Sequence, residues 1–508
     1  MSKFGDLMQS FIMSKPQRAG WFLSKAPASV LEKLGKKNAV ALVQEAALKV
    51  PAYQDFLSSR GVDPQKIKNL EELPMTDKES YLQKYPLEEL CLEPAKKMDI
   101  IYRSSGNSGI PFWWPQLTSK DKTVSRYFDF YYKYVLDLEK YSTLVVNTFA
   151  MGLWVAGMTI ATNFKQVALT GKYPLTIVSP GSDIESSLEV VTRFGKLYDQ
   201  IFIMGYPPFL GNLVTQGKEM GIKWPEMRIR VQTGGETFSE AWRQNLREEL
   251  GITESDLLAV TSVFGSSDTG SGMAGFESAL TIFIKRLCSR DSQLCSALFG
   301  SNRLPTLVQF VPMSYFVEEI DGEIVLTSRS GIPLLRYNIH DRGGVIPFKA
   351  MLEKCSELGF DLISLLDQNG YREIWRLPFF FCFGRMDAVS IDGANIYIDD
   401  VQAALSLKGA EDINNFKMAV ERNKAQNMRF VIYVELKEGF IRLSAQDEAK
   451  LRKKYHNIFL AKLTDLNCDF RNAYENNTES CDPQIRIYRF GQGPFTNEEN
   501  RIKRRHIL

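Results

Sequence analysis

The chain has 508 residues, of which 62 are basic and 60 acidic, giving a net charge of +2. Near-neutral balance excludes a chain that binds nucleic acid by bulk charge, and 44% hydrophobic residues exclude a disordered one. Three histidines (His340, His456, His506) and seven scattered cysteines argue against triad or histidine–metal chemistry and against a secreted disulfide framework.

In chain order, the first eighteen residues lack a signal-peptide core and cleavage pattern, so a cytoplasmic protein is expected. Residues 1–100 read as helices and loops. Ala39–Leu48 is amphipathic and stops at Val50-Pro51. Thr76, with Glu79 three residues on, reads as a capping box. Next comes Ser104-Ser105-Gly106-Asn107-Ser108-Gly109-Ile110-Pro111, whose small hydroxyls and glycines can converge backbone N–H groups on an anion. It reads either as a phosphate cradle or as a surface turn, and it is not a Walker A loop.

Tyr141–Phe164 carries no charge but holds Asn147, Asn163 and several threonines, so a strand, a turn and a helix are expected there, not a membrane span. No membrane partner is expected. Strand-length runs at Thr143–Asn147, Gln200–Met204, Ile229–Gln232 and Leu258–Phe264 alternate with helical patterns at Ile184–Phe194 and Ser239–Leu250. Such alternation implies an α/β chain with parallel strands and crossover helices. Thr237 with Glu240 reads as a second capping box, and Gly251 as the helix stop. Thr233-Gly234-Gly235-Glu236 and Phe264-Gly265-Ser266-Ser267-Asp268 follow strands, where open α/β sheets place ligands. In the second, the aromatic face can stack a base, the hydroxyls can hold phosphate, and a carboxylate among hydroxyls suits Mg²⁺.

Cys288 and Cys295 are spaced unlike a zinc-site pair. Asp321-Gly322 reads as a hairpin turn. Asp341 closes an apolar run and reads either as a ribose ligand or as a surface aspartate in a turn. Near Gly384 the texture changes to short strands and helices, expected to form a small α+β domain. The basic run Arg501, Lys503, Arg504, Arg505 reads alone as a solvated tail.

Taken together and in this order, these segments resemble the adenylate-forming (acyl-activating) enzyme superfamily, in particular its phenylacetate–CoA ligase branch. The motifs that carry the resemblance are Ser104–Pro111, Val50-Pro-Ala-Tyr-Gln, Leu73-Pro-Met-Thr-Asp-Lys78, Gly234-Gly-Glu-Thr-Phe-Ser-Glu-Ala-Trp242, Pro333-Leu-Leu-Arg-Tyr337, Gly384-Arg-Met-Asp387 and Gly393-Ala-Asn-Ile-Tyr397. The resemblance implies a large domain of stacked mixed or parallel sheets over 1–384, a small mobile α+β domain over 385–508, and a hinge at Asp387. It implies that ATP and Mg²⁺ activate a carboxylic acid as acyl-AMP, followed by transfer to the thiol of CoA or of a carrier-protein phosphopantetheine.

Carried over by position, Ser104, Ser105, Gly106, Asn107, Ser108 and Gly109 would hold the β,γ-phosphates. Gly234, Gly235, Glu236 and Phe264 would enclose adenine, Gly265 and Ser266 would lie in the nucleotide site, Ser267 would touch phosphate, and Asp268 would hold Mg²⁺. Asp341 and Arg385 would bind ribose, and Gly393 would line the thiol's tunnel. Phe149, Met151, Trp154, Met204 and Tyr206 would wall the acid pocket, and their bulk suits an aromatic or small apolar acid. A homodimer is compatible with this reading.

Three positions depart from the family pattern. Ile110 stands where the phosphate loop usually has lysine, and Asp268 where the magnesium ligand is usually glutamate. The C-terminal catalytic lysine falls on Arg501, or on Lys503 in a register two residues later, and arginine is not its equivalent. The rival readings are acyl transfer to an amine or hydroxyl, direct adenylylation of an acceptor, and an inactive nucleotide-binding protein.

Overall fold

The computed structural model describes residues 16–104, 112–117, 130–235, 238–269, 273–301, 304–384, 388–405, 407, 409–423, 426–438, 444–496 and 507. The described residues group into two units. The first holds those up to 384 except 112 and 206–212; the second holds these exceptions and everything from 388 onward.

In the first unit, β1 (Ile100–Arg103) and β2 (Trp113–Gln116) pair antiparallel. Then come β3 (Thr143–Asn147), β4 (Leu175–Val178), β5 (Gln200–Gly205), β6 (Ile229–Gly234), β7 (Val260–Phe264) and β8 (Gly275–Phe276). They are followed by β9 (Thr306–Gln309), β10 (Tyr315–Ile320), β11 (Glu323–Ser328), β12 (Leu334–Ile346) and β13 (Phe379–Gly384). From β3 onward these form one 11-stranded sheet in the order β10-β11-β12-β13-β9-β8-β7-β6-β5-β3-β4.

Strands β3 to β7 run parallel to their neighbours, and from β8 outward the pairing is antiparallel. The two halves therefore share one continuous ladder. Every residue of β3, β5 and β6 is buried, as expected of parallel strands covered on both faces. The crossovers are α1 (Val155–Leu169), α2 (Ile184–Phe194), α3 (Pro207–Glu219) and α4 (Glu240–Glu249), and α5 (Ala279–Arg290) follows β8.

The expected capping box at Thr76 is displaced, while Thr237 of the other lies outside the described residues. Helix α4 is capped by Ser239, whose hydroxyl accepts from Trp242 N at 3.0 Å. Glu240 is drawn into an ion network. Ser239→Ala is expected to lower stability by about 1 kcal/mol, read from the urea midpoint. At the Thr76 site the cap is Asp77, whose side chain accepts from Ser80 N. Thr76 is occupied elsewhere: its N–H donates to Arg336 O at 3.0 Å, its hydroxyl to Leu335 O at 3.0 Å, and its carbonyl accepts from Asn338 N at 2.8 Å. The motif at 73–78 thus bridges the motif at 333–337 as a parallel partner of β12. Strand β7 starts at Val260, because Leu257–Ala259 forms a single tight turn. Asp321 and Gly322, with φ of 54° and 79°, make the hairpin turn between β10 and β11.

In the second unit, β14 (Ala388–Ile391) and β15 (Ala394–Tyr397) form a hairpin. Asp392 and Gly393 take φ of 47° and 81° at its turn, the left-handed pair that a two-residue hairpin loop needs. β16 (Ile413–Arg422) pairs antiparallel with β17 (Met428–Leu436), which pairs parallel with β18 (Gln484–Tyr488). Helices α6 (Ala445–Leu466) and α7 (Cys468–Asn476) belong to the same unit, and Ile391, Phe416, Phe430, Tyr455, Phe459 and Phe470 share its core. Among the described residues, no helix is long and apolar enough to cross a membrane.

Candidate active site

In the parallel half, the carboxyl ends of β3, β5, β6 and β7 are in register: Asn147 lies beside Met204, Gly205 beside Thr233, and Gly234 beside Val263. Each strand then opens into a loop at the same end of the sheet, where an α/β fold takes its ligands.

After β3, the fully buried Asn147 organises the loop. Its amide donates to Gly157 O at 2.9 Å and to Ser179 Oγ at 3.3 Å, and its Oδ1 accepts from Phe149 N at 3.3 Å. Gly157 is required here, since a Cβ would stand 2.2 Å from Ala150 O. Phe149 is thereby set over the end of β6: a Cβ on Gly234 would stand 3.4 Å from Phe149 Cζ and 3.2 Å from Val263 Cγ2. Gly235 follows in the left-handed region at φ 80°, where a side chain would be strained.

After β7, Ser266–Thr269 closes a turn. Thr269 N donates to Ser266 O at 3.2 Å, and the Thr269 hydroxyl donates to the same oxygen at 2.8 Å. Tyr315 anchors the turn by donating to Thr269 O at 3.3 Å. Ser266, Ser267 and Asp268 are therefore presented, each partly exposed, on a fixed turn.

Asp341 lies inside β12, not in a surface turn, the plainer of its two expected settings. His340 before it has φ 59°, and the pairing slips after Arg342, so the strand bulges at this point. The Asp341 carboxylate accepts from Cys382 Sγ of β13 at 3.8 Å. Phe264 packs edge-on against Phe380 of the same strand, with ring centroids 4.7 Å apart. Residues 380 and 382 alternate with 381, so both point to one face of β13. Phe264 and Asp341, 77 positions apart in the chain, therefore gather on a common face at the end of the sheet.

Ser104 is brought to the same end. It follows β1, and Arg103 N donates to Leu153 O at 3.0 Å, which ties the start of the serine–glycine segment to the loop after β3. Met151 and Trp154 lie in that loop, partly exposed, whereas Met204 is fully buried in β5. Tyr206 and Gly393 both fall in the second unit, where a Cβ on Gly393 would stand 3.4 Å from the Tyr206 ring. Ser105, Gly106, Asn107, Ser108, Gly109, Ile110, Glu236, Arg385, Asp387, Arg501 and Lys503 lie outside the described residues. So does Thr237.

Sequence reasoning missed a charged network beneath the Gly234–Trp242 motif. Arg243 grips Glu277 with two hydrogen bonds, at 2.9 and 2.7 Å, and Lys285 reaches the same carboxylate at 2.8 Å. Glu240 closes the set at 3.0 Å from Arg243 and 3.3 Å from Lys285. All four side chains are buried, and Phe238 roofs both cations, with ring-centroid distances of 4.8 and 4.9 Å. Burial pushes the Glu277 carboxyl up, but Arg243 and Lys285 outweigh it and leave the pKa below the ordinary value. The available signal was Arg243 itself, which falls on the same buried arc of α4 as Trp242 and Leu246.

Among the described residues, no three histidine, cysteine, aspartate or glutamate side chains gather to hold a metal. Cys288 and Cys295 are both buried, and burial pushes both thiols up, away from the thiolate a metal needs.

No family model matches the chain. Its sequence is similar to a phenylacetate-coenzyme A ligase of Thermus thermophilus, 22% identical over 440 residues, covering 84% of this chain and 86% of that protein. It is also similar to a phenylacetate-coenzyme A ligase of Aromatoleum evansii, 21% identical over 341 residues, covering 64% and 69%. Its fold matches 2-hydroxyisobutyryl-CoA ligase in complex with 2-HIB-AMP and CoA, with a TM-score of 0.61 at 14% identity, covering 96% and 91%. An open conformation of that ligase matches with a TM-score of 0.53.

Proposed function

We propose that this chain, a sequence relative of phenylacetate–CoA ligases with the fold of the adenylate-forming enzymes, is an AMP-forming acid–CoA ligase. In the first step a carboxylate oxygen attacks the α-phosphorus of ATP and pyrophosphate leaves with the broken P–O bond. In the second, the sulfur of CoA attacks the acyl carbon, AMP departs with the carboxylate oxygen, and the thiol proton passes to solvent.

The observation that carries this reading is the meeting of Phe264 and Asp341 on one face of β13, beside the loops after β3 and β6. An aromatic edge near a glycine floor suits adenine, and a carboxylate on the same face suits a diol. Ser104, Ser266 and Ser267 offer hydroxyls to phosphate oxygens. Asp268, among hydroxyls on its turn, supplies the single carboxylate that Mg²⁺ commonly takes when substrate phosphates complete its shell. When bound, the ion would neutralise phosphate charge. Rate enhancement then rests on positioning and charge compensation, since the attacking carboxylate needs no base. That accounts for chemistry on so few histidines.

The acid is proposed to be aromatic or small and apolar, because Phe149, Met151 and Trp154 line the loop after β3. Pyrophosphate–ATP exchange over a panel of aryl and short acids tests this. Exchange with phenylacetate-type acids, and thioester formation on adding CoA, are expected. Exchange with none of them refutes the assignment. Asp268→Ala is expected to reduce exchange about 100-fold and to raise the magnesium requirement.

A further inference from the structure

The opposite end of the same strands carries a surface that adenylation does not use. Three successive loops return from helix to strand there. They read Leu169-Thr-Gly-Lys172-Tyr173-Pro, Phe194-Gly-Lys196-Leu197-Tyr198 and Met220-Gly-Ile-Lys223-Trp224-Pro, each with a glycine, a lysine and then an aromatic ring. Leu169 and Leu197, at 76% and 72% exposure, are the two most exposed large apolar side chains among the described residues, and Met220 follows at 66%, level with Trp21 and Leu48. A Cβ on Gly171 or Gly221 would meet no atom within 4 Å, so these tips stand out from the body.

The tips share one rim. Thr143 N donates to Pro174 O at 2.8 Å, Gln200 N to Ser142 O at 3.1 Å, and Ile201 N to Arg228 O at 3.0 Å, which strings the strand beginnings side by side. Asp199 locks onto Ser142 at 2.8 and 2.7 Å. Along the segments 137–142, 165–173, 193–199 and 218–228 stand eight basic residues against five carboxylates, with Arg193 and Lys218 paired to Glu189 and Glu249 outside them and Lys223 to Glu226 within. Lys165, Lys172, Lys196 and Lys223 are exposed among them. Arg228 lies over the Tyr141 ring at 4.2 Å and Lys172 over Tyr173 at 4.5 Å.

We propose that this rim adsorbs to an anionic membrane surface, with Leu169, Leu197 and Met220 dipping into the interface while the lysines meet lipid phosphates. Isolated aliphatic tips separated by lysines, over a row of tyrosines, are what an interface of apolar chains and anionic headgroups accommodates. A protein partner would want a contiguous apolar patch, and here a lysine stands in each of the three loops. The neutral net charge of the whole chain conceals these exposed lysines. Adsorbed this way, the ligand end of the strands would point to bulk solution.

The full chain is mixed with vesicles of phosphatidylcholine, alone or with about one-third phosphatidylglycerol, and sedimented. Binding to the anionic vesicles alone is expected, falling with salt. L169S/L197S/M220S and K172E/K196E should each weaken the partition coefficient at least tenfold, with melting and pyrophosphate exchange unchanged. Absence of binding by the parent overturns the proposal. Equal binding by the serine variant leaves charge adsorption alone and overturns it too. Tighter capture by polyglutamate than by vesicles would mark an acidic protein face instead, which overturns it equally.

Discussion

Glu277→Gln is expected to lower the unfolding free energy by about 3–5 kcal/mol, read from the denaturant midpoint. The substitution keeps the shape but leaves Glu240 as the remaining carboxylate for Arg243 and Lys285 in a buried site. Losing one partner of a buried pair costs far more than the pair's net worth, because the remaining charges stay desolvated. The pH dependence follows from the depressed carboxyl. Its stabilisation is present above the ordinary glutamate value of 4.5 and is lost as pH falls through the lower folded value. The wild-type chain should therefore lose stability into acid, and the variant should lose less over the same interval. Parallel acid profiles for the two would remove Glu277 from that account.

Asp341→Ala is expected to reduce kcat/KM for ATP by about 10- to 100-fold, the worth of one hydrogen bond to a charged group inside a site. Stability should change by less than about 1 kcal/mol, since the carboxylate is partly exposed. Asp341→Asn should recover part of the loss, because the amide oxygen still accepts from a diol. A loss under twofold in the alanine variant would detach Asp341 from ribose recognition.

The parallel half was legible because its strands are uncharged and β-branched: Thr143–Asn147 and Ile184–Phe194 occupy the residues their patterns marked. Gly251 ends α4 with φ 68° for the same local reason. The capping positions were not legible, because Thr76 and Glu240 were claimed by distant partners, Arg336 and Lys285, that no local pattern names. The gathering of Phe264 and Asp341 needed the register of β13, a property of long-range pairing. The buried charges looked like ordinary polar faces of α4 and α5. The surface lysines likewise gave no signal until three loops were seen to share one rim.

The docking of Thr76 against Tyr337 has a practical bearing on how the protein can be cut. Because Thr76 supplies backbone partners to β12, a shortened form starting near residue 100 would uncover main-chain groups of a strand inside a large sheet. Such a form should precipitate or bind chaperones, whereas one starting just before Pro27 keeps the partner segment and the buried helix Ala28–Lys49 in place.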